Sequence, residues 1–167
     1  MDPFTIRVYK QYFNFASSHF LIFQDGTREP LHGHNYRVTV KGSGPLQSDM
    51  VLDFLDFKPI VKRLCDSLDH KLLLPNENPY LKLVTLEKYY QVITPTEEVF
   101  QFPKDDVLFL PISNTSAERL ALYLAQQIAE ELKVKLNFQF KALEVEVEES
   151  PGQSASYLLE TSEELSR

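Results

Sequence analysis

Apolar and polar positions alternate near the start of the chain and again after residue 34. The segment Thr5 to Phe15 partly alternates and is rich in branched and aromatic residues, which predicts a strand that delivers His19 at its end. From Asn35 to Lys41 the alternation sets Tyr36, Val38 and Val40 on one side of a second strand. The polar loop Gln24 to Pro30 joins the two as an antiparallel hairpin with a wide connection. The period then changes. Over Phe54 to Leu68 the residues Leu55, Ile60, Val61, Leu64 and Leu68 recur at helical spacing, with Asp53 placed to cap and Asp56 in the first turn. Pro59 moves the expected start of the regular helix to about Lys58. A second helix runs from Ser116 to about Lys133, with Leu120, Tyr123, Leu124, Ile128 and Leu132 on its apolar side and Thr115 or Ser116 as cap. Strands follow at Asn137 to Glu148 and, after the Pro151-Gly152 turn, at Ser156 to Leu159.

Between the helices, Val84 to Leu110 holds two short apolar segments around Thr94 to Glu98 and reads as an inserted hairpin. Its aromatics Tyr89, Tyr90, Phe100 and Phe102 need something to pack against, which favours a subunit interface. The order of two strands, helix, inserted hairpin, helix and two strands predicts an α+β domain with both helices on one face of an antiparallel sheet. The tail from Thr161 to Arg167 is polar and expected to fray.

Composition narrows the class. A chain of 167 residues with 43% hydrophobic content is expected to be one domain with a full core. No stretch approaches the roughly 20 apolar residues of a membrane span, and the opening residues lack a signal-peptide pattern, so a cytoplasmic protein is expected. A net charge of -7 argues against a nucleic-acid partner, because phosphate backbones are met by clustered Lys and Arg. An anionic small molecule stays compatible with a locally positive pocket. The one cysteine, Cys65, has no internal disulfide partner and falls among apolar helix positions.

The histidines carry the chemistry. His32 and His34 flank Gly33 at i,i+2 on a strand, so both rings point to one side, and His19 closes the set. Three neutral imidazoles leave a fourth position of a tetrahedral ion open to water or substrate, the arrangement of a catalytic rather than a closed structural site. Imidazole donors suit Zn, Fe, Ni or Cu. Asp69-His70 fits either a helix-end pair serving local backbone groups or a carboxylate orienting a proton-passing imidazole.

Phe15-Ala16-Ser17-Ser18-His19, Leu31-His32-Gly33-His34-Asn35-Tyr36, Leu68-Asp69-His70, Asn114-Thr115-Ser116-Ala117-Glu118 and Val147-Glu148-Glu149-Ser150 occur in an order that resembles the 6-pyruvoyltetrahydropterin synthase family, which includes the 6-carboxytetrahydropterin synthases. The resemblance covers nearly the whole of residues 1–167 as one such domain, with an insertion at about 84–110 as the main departure. It implies the tunnelling fold, or T-fold, in which trimers close a β-barrel and pair into homohexamers with active sites between subunits. It further implies that His19, His32 and His34 hold Zn²⁺, that Asp69 and His70 take part in proton transfer, and that Glu149 anchors a pterin substrate. Thr115, Ser116 and Glu118 complete the expected ring contacts, although helix capping explains these three equally well. A carboxylate suits the anchoring role because it accepts two parallel hydrogen bonds from the guanidine-like edge of a pterin.

One motif departs from the family pattern. The proton-abstracting cysteine expected shortly before His-Gly-His is absent, and the loop there reads Asp25-Gly26-Thr27-Arg28-Glu29-Pro30-Leu31. Glu29-Pro30-Leu31-His32-Gly33-His34 resembles a subgroup in which glutamate replaces the cysteine and dihydroneopterin triphosphate is cleaved to 6-hydroxymethyl-7,8-dihydropterin, a folate precursor. The resemblance makes Glu29 the base. Pyruvoyl- or carboxytetrahydropterin synthase activity, and a non-catalytic pterin-binding member, are the alternatives. Arg28 is either a surface cation or a phosphate contact.

Overall fold

A computed structural model describes residues 4–161; the expected frayed tail, apart from Thr161, lies outside the described residues. The predicted opening strand is two strands, β1 (Phe4–Val8) and β2 (Asn14–His19). A turn closed by the Phe13 N–H on the Lys10 carbonyl at 2.9 Å separates them. Both pair antiparallel with one long strand, β3 (His32–Gly44), β1 along residues 40–44 and β2 along residues 32–37. Phe15, Ser17 and His19 lie opposite Tyr36, His34 and His32, and opposed residues of an antiparallel pair share a face. The hairpin register therefore brings all three predicted metal ligands to one side.

Helix α1 (Phe54–Leu68) begins at its Asp53 cap, whose carboxylate accepts from the Leu55 N–H at 2.8 Å, and not at Lys58. Pro59 leaves the Leu55 carbonyl without its helical donor, yet Leu55 is 73% exposed, so solvent reaches that turn. Leu55 is thus not on the buried stripe, and Phe57, fully buried, takes its place ahead of Ile60, Val61, Leu64 and Leu68. Helix α1 feeds at once into a strand that periodicity left unassigned, β4 (Lys71–Pro75), through His70 at φ 55°. Strand β4 lies parallel to β2, and the sheet is mixed at this edge.

The insertion contains the expected hairpin as β6 (Tyr89–Ile93) and β7 (Val99–Pro103), with β5 (Lys82–Thr85) added to form a separate three-stranded sheet. The last part of the segment, β8 (Val107–Leu110), returns to the main sheet parallel to β4. Of the aromatics expected at an interface, Tyr90, Phe100 and Phe102 pack within the chain, while Tyr89 is exposed. Phe100 stacks on Phe20 at 5.5 Å between centroids, Phe102 on Phe100 at 5.8 Å, and Tyr90 meets Phe109 edge-on at 4.7 Å. A second core of Phe20, Ile22, Leu72, Leu74, Val92 and Val107 joins the two sheets.

Helix α2 (Ala117–Leu136) is capped by Ser116 and stopped by Asn137 in the left-handed conformation, a position asparagine tolerates. The next strand, β9 (Ala142–Ser150), consequently starts later than Asn137. Phe138 and Phe140 are core plugs ahead of it, and a Cβ at Gly42 would run into the Phe140 ring. With β10 (Gln153–Glu160) the main sheet has the order β10-β9-β3-β2-β4-β8, with β1 beside β3. Both helices cover the face bearing Phe15, Tyr36, Val38, Val145 and Val147, where the larger core sits. Among the described residues no helix is long and apolar enough to cross a membrane.

Candidate metal centre and its rim

The histidines stand where the buried face of the hairpin runs out. One ligand atom from each of His19, His32 and His34 lies within 4.8 Å of the others. Two are oriented from behind: Nδ1 of His19 is 2.9 Å from the Thr115 carbonyl and Nδ1 of His32 is 2.8 Å from the Pro30 carbonyl. A carbonyl only accepts, so each Nδ1 carries the proton and each Nε2 presents its lone pair. The Nε2 atoms of His32 and His34 are 2.9 Å apart, near the roughly 3.3 Å separation of two donors on a tetrahedral ion with bonds of about 2.0–2.1 Å. Burial holds the His19 imidazole below its usual pKa, and the nearby Glu149 carboxylate does not reverse that. His19 is neutral at pH 7 and ready to ligate. The donor set fits a divalent metal.

Two carboxylates face the cluster. Glu149 continues the inward parity of Val145 and Val147, apart from the outward row Glu144, Glu146 and Glu148. Its Oε1 is 3.3 Å from His34 Nε2 and 3.6 Å from His19 Nε2. It also lines a cleft of ≈ 260 Å³ with Leu21, Ser116, Glu118 and Gln153, so it touches both the metal position and the space beside it. Glu29 approaches from the loop, its Oε1 3.8 Å from His32 Nε2. Its Oε2 is buried without a hydrogen-bond partner. A carboxylate oxygen removed from water and left unpaired is costly, and such an atom marks where a cation or a substrate hydroxyl belongs.

Other predicted residues are distributed differently. Thr115 is fully buried, its hydroxyl is given to the Phe20 carbonyl at 3.3 Å, and its own carbonyl orients His19. Ser116 caps α2, and Glu118 sits in that helix's first turn beside the cleft. Asp69 accepts from the Ala16 N–H at 2.7 Å and lies 2.8 Å from His70 Nδ1. The Ala16 N–H, chiefly, holds the Asp69 carboxyl below its ordinary value. The His70 side chain is 83% exposed, and no hydrogen bond, ion pair or ring contact among the described residues joins the pair to the cluster. Cys65 is buried in α1, with its thiol pushed up to about 12 by desolvation, which rules it out as a base.

Sequence reasoning did not assign Tyr36 to the site. Its buried hydroxyl lies 3.2 Å from His19 Nε2. The signal was present, because Tyr36 has the same parity as His32 and His34.

A histidine triad at the rim of a helix-covered sheet, faced by two carboxylates, defines an α+β protein whose cluster could hold a metal ion beside a small cleft. Residues 7–160 match the family described as 6-pyruvoyl tetrahydropterin synthase. The chain belongs to that family. A Methanocaldococcus jannaschii protein named "Putative 6-carboxy-5,6,7,8-tetrahydropterin synthase" is 40% identical over 148 residues, 86% of this chain and 88% of that relative. A Pyrococcus abyssi relative of the same name is 30% identical, covering 87% of this chain and 85% of its own length. The Plasmodium vivax 6-pyruvoyltetrahydropterin synthase superposes with a TM-score of 0.89 at 32% identity, over 96% of this chain and 100% of that one. Solved variants of that protein replace a glutamate, described as a catalytic residue, by alanine or cysteine. The T-fold anticipated from the motifs is the fold of this chain.

Proposed function

We propose that this chain is a zinc-dependent pterin lyase that cleaves the side chain of 7,8-dihydroneopterin triphosphate to 6-hydroxymethyl-7,8-dihydropterin, with Glu29 as the base. The observation that carries this reading is the buried, unpartnered Oε2 of Glu29 at the rim of the histidine cluster, in a chain whose only cysteine is sealed in the core. The catalytic glutamate of the Plasmodium vivax neighbour supports it.

His19, His32 and His34 would hold Zn²⁺, which supplies Lewis acidity toward neighbouring side-chain oxygens. Glu149 meets the amino and N–H edge of the pterin, with Ser116 and Glu118 bounding the same cleft. Glu29 removes the proton of the 2'-hydroxyl. The C1'-C2' bond breaks, C2' leaves as the aldehyde carbon of the two-carbon triphosphate fragment, and its electron pair passes to C1' and the conjugated ring. Protonation at C1' completes the hydroxymethyl group without net consumption of water. Asp69-His70 serves as the proton relay of a neighbouring copy, which its exposure and separation from the cluster support, and which fits two trimers stacked as a hexamer.

The archaeal relatives favour one second reading, a 6-carboxytetrahydropterin synthase reaction on the same substrate. Product analysis separates the two. Metal-loaded protein incubated with 7,8-dihydroneopterin triphosphate is expected to yield 6-hydroxymethyl-7,8-dihydropterin by liquid chromatography and mass spectrometry. A carboxy- or pyruvoyl-tetrahydropterin product would overturn the cleavage assignment, and unchanged substrate with metal bound would overturn the lyase reading.

A further inference from the structure

Glu29 Oε2 has no hydrogen-bond partner and Oε1 only approaches His32 Nε2 at 3.8 Å, so the direction of the carboxylate is set mainly through its backbone. The loop from Leu21 to Leu31 is closed by local bonds, Phe23 N–H to the Thr27 carbonyl at 2.8 Å and Glu29 N–H to the Leu21 carbonyl at 2.9 Å. These fix its shape, and Asn114 ties its base, accepting from the Ile22 N–H at 3.3 Å and donating to the Ile22 carbonyl at 2.9 Å; the stretch carrying Arg28 and Glu29 lies farther out. Its neighbour is the turn between β6 and β7, residues 94–98, contributed by the insertion. Arg28 donates through Nε to Glu98 Oε2 at 2.6 Å and through Nη2 to Oε1 at 2.8 Å, while Nη1 donates to the Glu29 carbonyl at 3.0 Å. One guanidinium thus ties the insertion to the backbone of Glu29. Glu98 is held in turn by the Thr96 hydroxyl at 3.1 Å, and its own N–H donates to Thr94 Oγ1 at 3.2 Å.

Apolar contacts brace the same junction. The Arg28 guanidinium lies 4.9 Å over the Phe100 ring, and Phe100 stacks on Phe20, the residue after His19. At Gly26, φ is +83°, and its Cβ position is 3.4 Å from Pro95. The partners are partly exposed, at 21% for Arg28 and 44% for Glu98, so the pair contributes little to global stability. A bidentate guanidinium-carboxylate fork nevertheless fixes orientation as a single point charge cannot.

We propose that Arg28 and Glu98 are positioning residues, and that the inserted sheet acts as a clamp setting the direction of Glu29 over the metal site. This rests on Glu29 being the base. It also assigns Arg28 to the clamp and removes it from the phosphate contacts. A misplacement of about 1 Å in a reacting group costs on the order of 100-fold in rate, so a device worth little in stability can matter greatly in turnover.

The test compares Arg28→Lys, Glu98→Gln and the double Arg28→Lys/Glu98→Gln variant with the parent full-length protein, by hydrogen exchange and steady-state kinetics. Amides of residues 23–29 are expected to exchange at least about tenfold faster in the variants, with β3 amides and metal content unchanged. The kcat is expected to fall roughly 10- to 100-fold, with KM moving less than about threefold. The double variant should be no worse than the worse single change, because the two residues act as one unit. Unchanged exchange, or parental kcat in the variants while Glu29→Gln is inactive, would overturn the clamp. A raised KM with unchanged kcat would make Arg28 a substrate contact instead. If Glu29→Gln kept full activity, the base assignment would fall, and the exchange data alone would still decide whether the clamp holds the loop.

Discussion

The floor of the site and its rim are built by opposite means. The floor is strand: His19, His32 and His34 come from two paired strands whose register puts them on one face, and backbone carbonyls of Thr115 and Pro30 pin two of the rings. The rim is loop: Glu29 hangs from a segment that Arg28 ties to Glu98, 70 residues farther along the chain. Changes confined to the Arg28-Glu98 fork are therefore expected to reach the rim and leave the floor, whose contact with the insertion is the Phe20-Phe100 stack. Ligation and base catalysis should be separable by mutation, because the ring nitrogens and the Glu29 carboxylate are distinct groups, even though Leu21 and Asn114-Thr115 take part in both supports.

The largest effects test that separation. His32→Ala removes one of three donors and is expected to lower metal affinity by at least 100-fold, with turnover lost alongside, as read by metal analysis and steady-state assay. Glu29→Ala is expected to retain metal at parental stoichiometry while kcat falls by 10² to 10⁴, roughly the contribution of a general base. Loss of metal from Glu29→Ala would show that floor and rim are one structure.

A second, smaller recovery effect asks how far the rim extends. Glu29→Ala and His70→Ala chains, each inactive alone, should regain activity after mixed reassembly if His70 of one copy faces Glu29 of another. Random pairing would restore about a quarter of the sites. Absence of any recovery in verified mixed oligomers would confine the relay to its own chain and leave the 83% exposed His70 without a role at this site.

The floor was legible in the sequence, and the rim was legible only as residue names. His32 and His34 follow from a period of two, and the same period contained Tyr36. Strand β4 escaped because Leu72, Leu73 and Leu74 form a short unbroken apolar run, which carries no period and fits helix or buried strand equally. Phe138 and Phe140 mimicked strand alternation while acting as plugs after a left-handed helix stop. Leu55 fitted the helical stripe by spacing, yet it faces solvent because the stripe turns about Phe57. The Arg28-Glu98 fork and the Thr115 carbonyl behind His19 are long-range contacts that no local pattern encodes.

A moderate effect probes how tightly the floor is built. A Cβ at Gly33 would lie 3.0 Å from the Ser17 carbonyl oxygen, backbone that can yield only by spreading β2 from β3. Crowding of this kind costs about 1–3 kcal/mol, against a gain of about 0.4–1 kcal/mol from a stiffer unfolded chain. Crowding wins, so Gly33→Ala is expected to lose about 1 kcal/mol, a fall in Tm of about 2–4 °C for a chain of this size by calorimetry. Metal affinity should drop with it, since the widened hairpin parts His19 from His32. A Tm unchanged or raised would mean the strands have slack that the histidines do not use.

The smallest effect at neutral pH belongs to Cys65, which sharpens the contrast by showing that the core holds no hidden base. Cys65→Ala should leave kcat at the parental value and cost about 1 kcal/mol through the small void it leaves. The pH dependence carries a definite sign. The thiol is neutral in both states below its ordinary value of 9.0, so it contributes nothing there. Between 9.0 and about 12 the unfolded thiol ionises while the folded one, desolvated in the core, does not. The unfolded state then binds fewer protons, and stability falls as pH rises. The parent should therefore lose stability relative to Cys65→Ala across that window, measured by denaturant unfolding at stepped pH. A difference that stayed flat from pH 8 to pH 11 would mean the thiol is not held neutral by the core. Loss of turnover in a folded, metal-loaded Cys65→Ala protein would return the base assignment from Glu29 to sulfur.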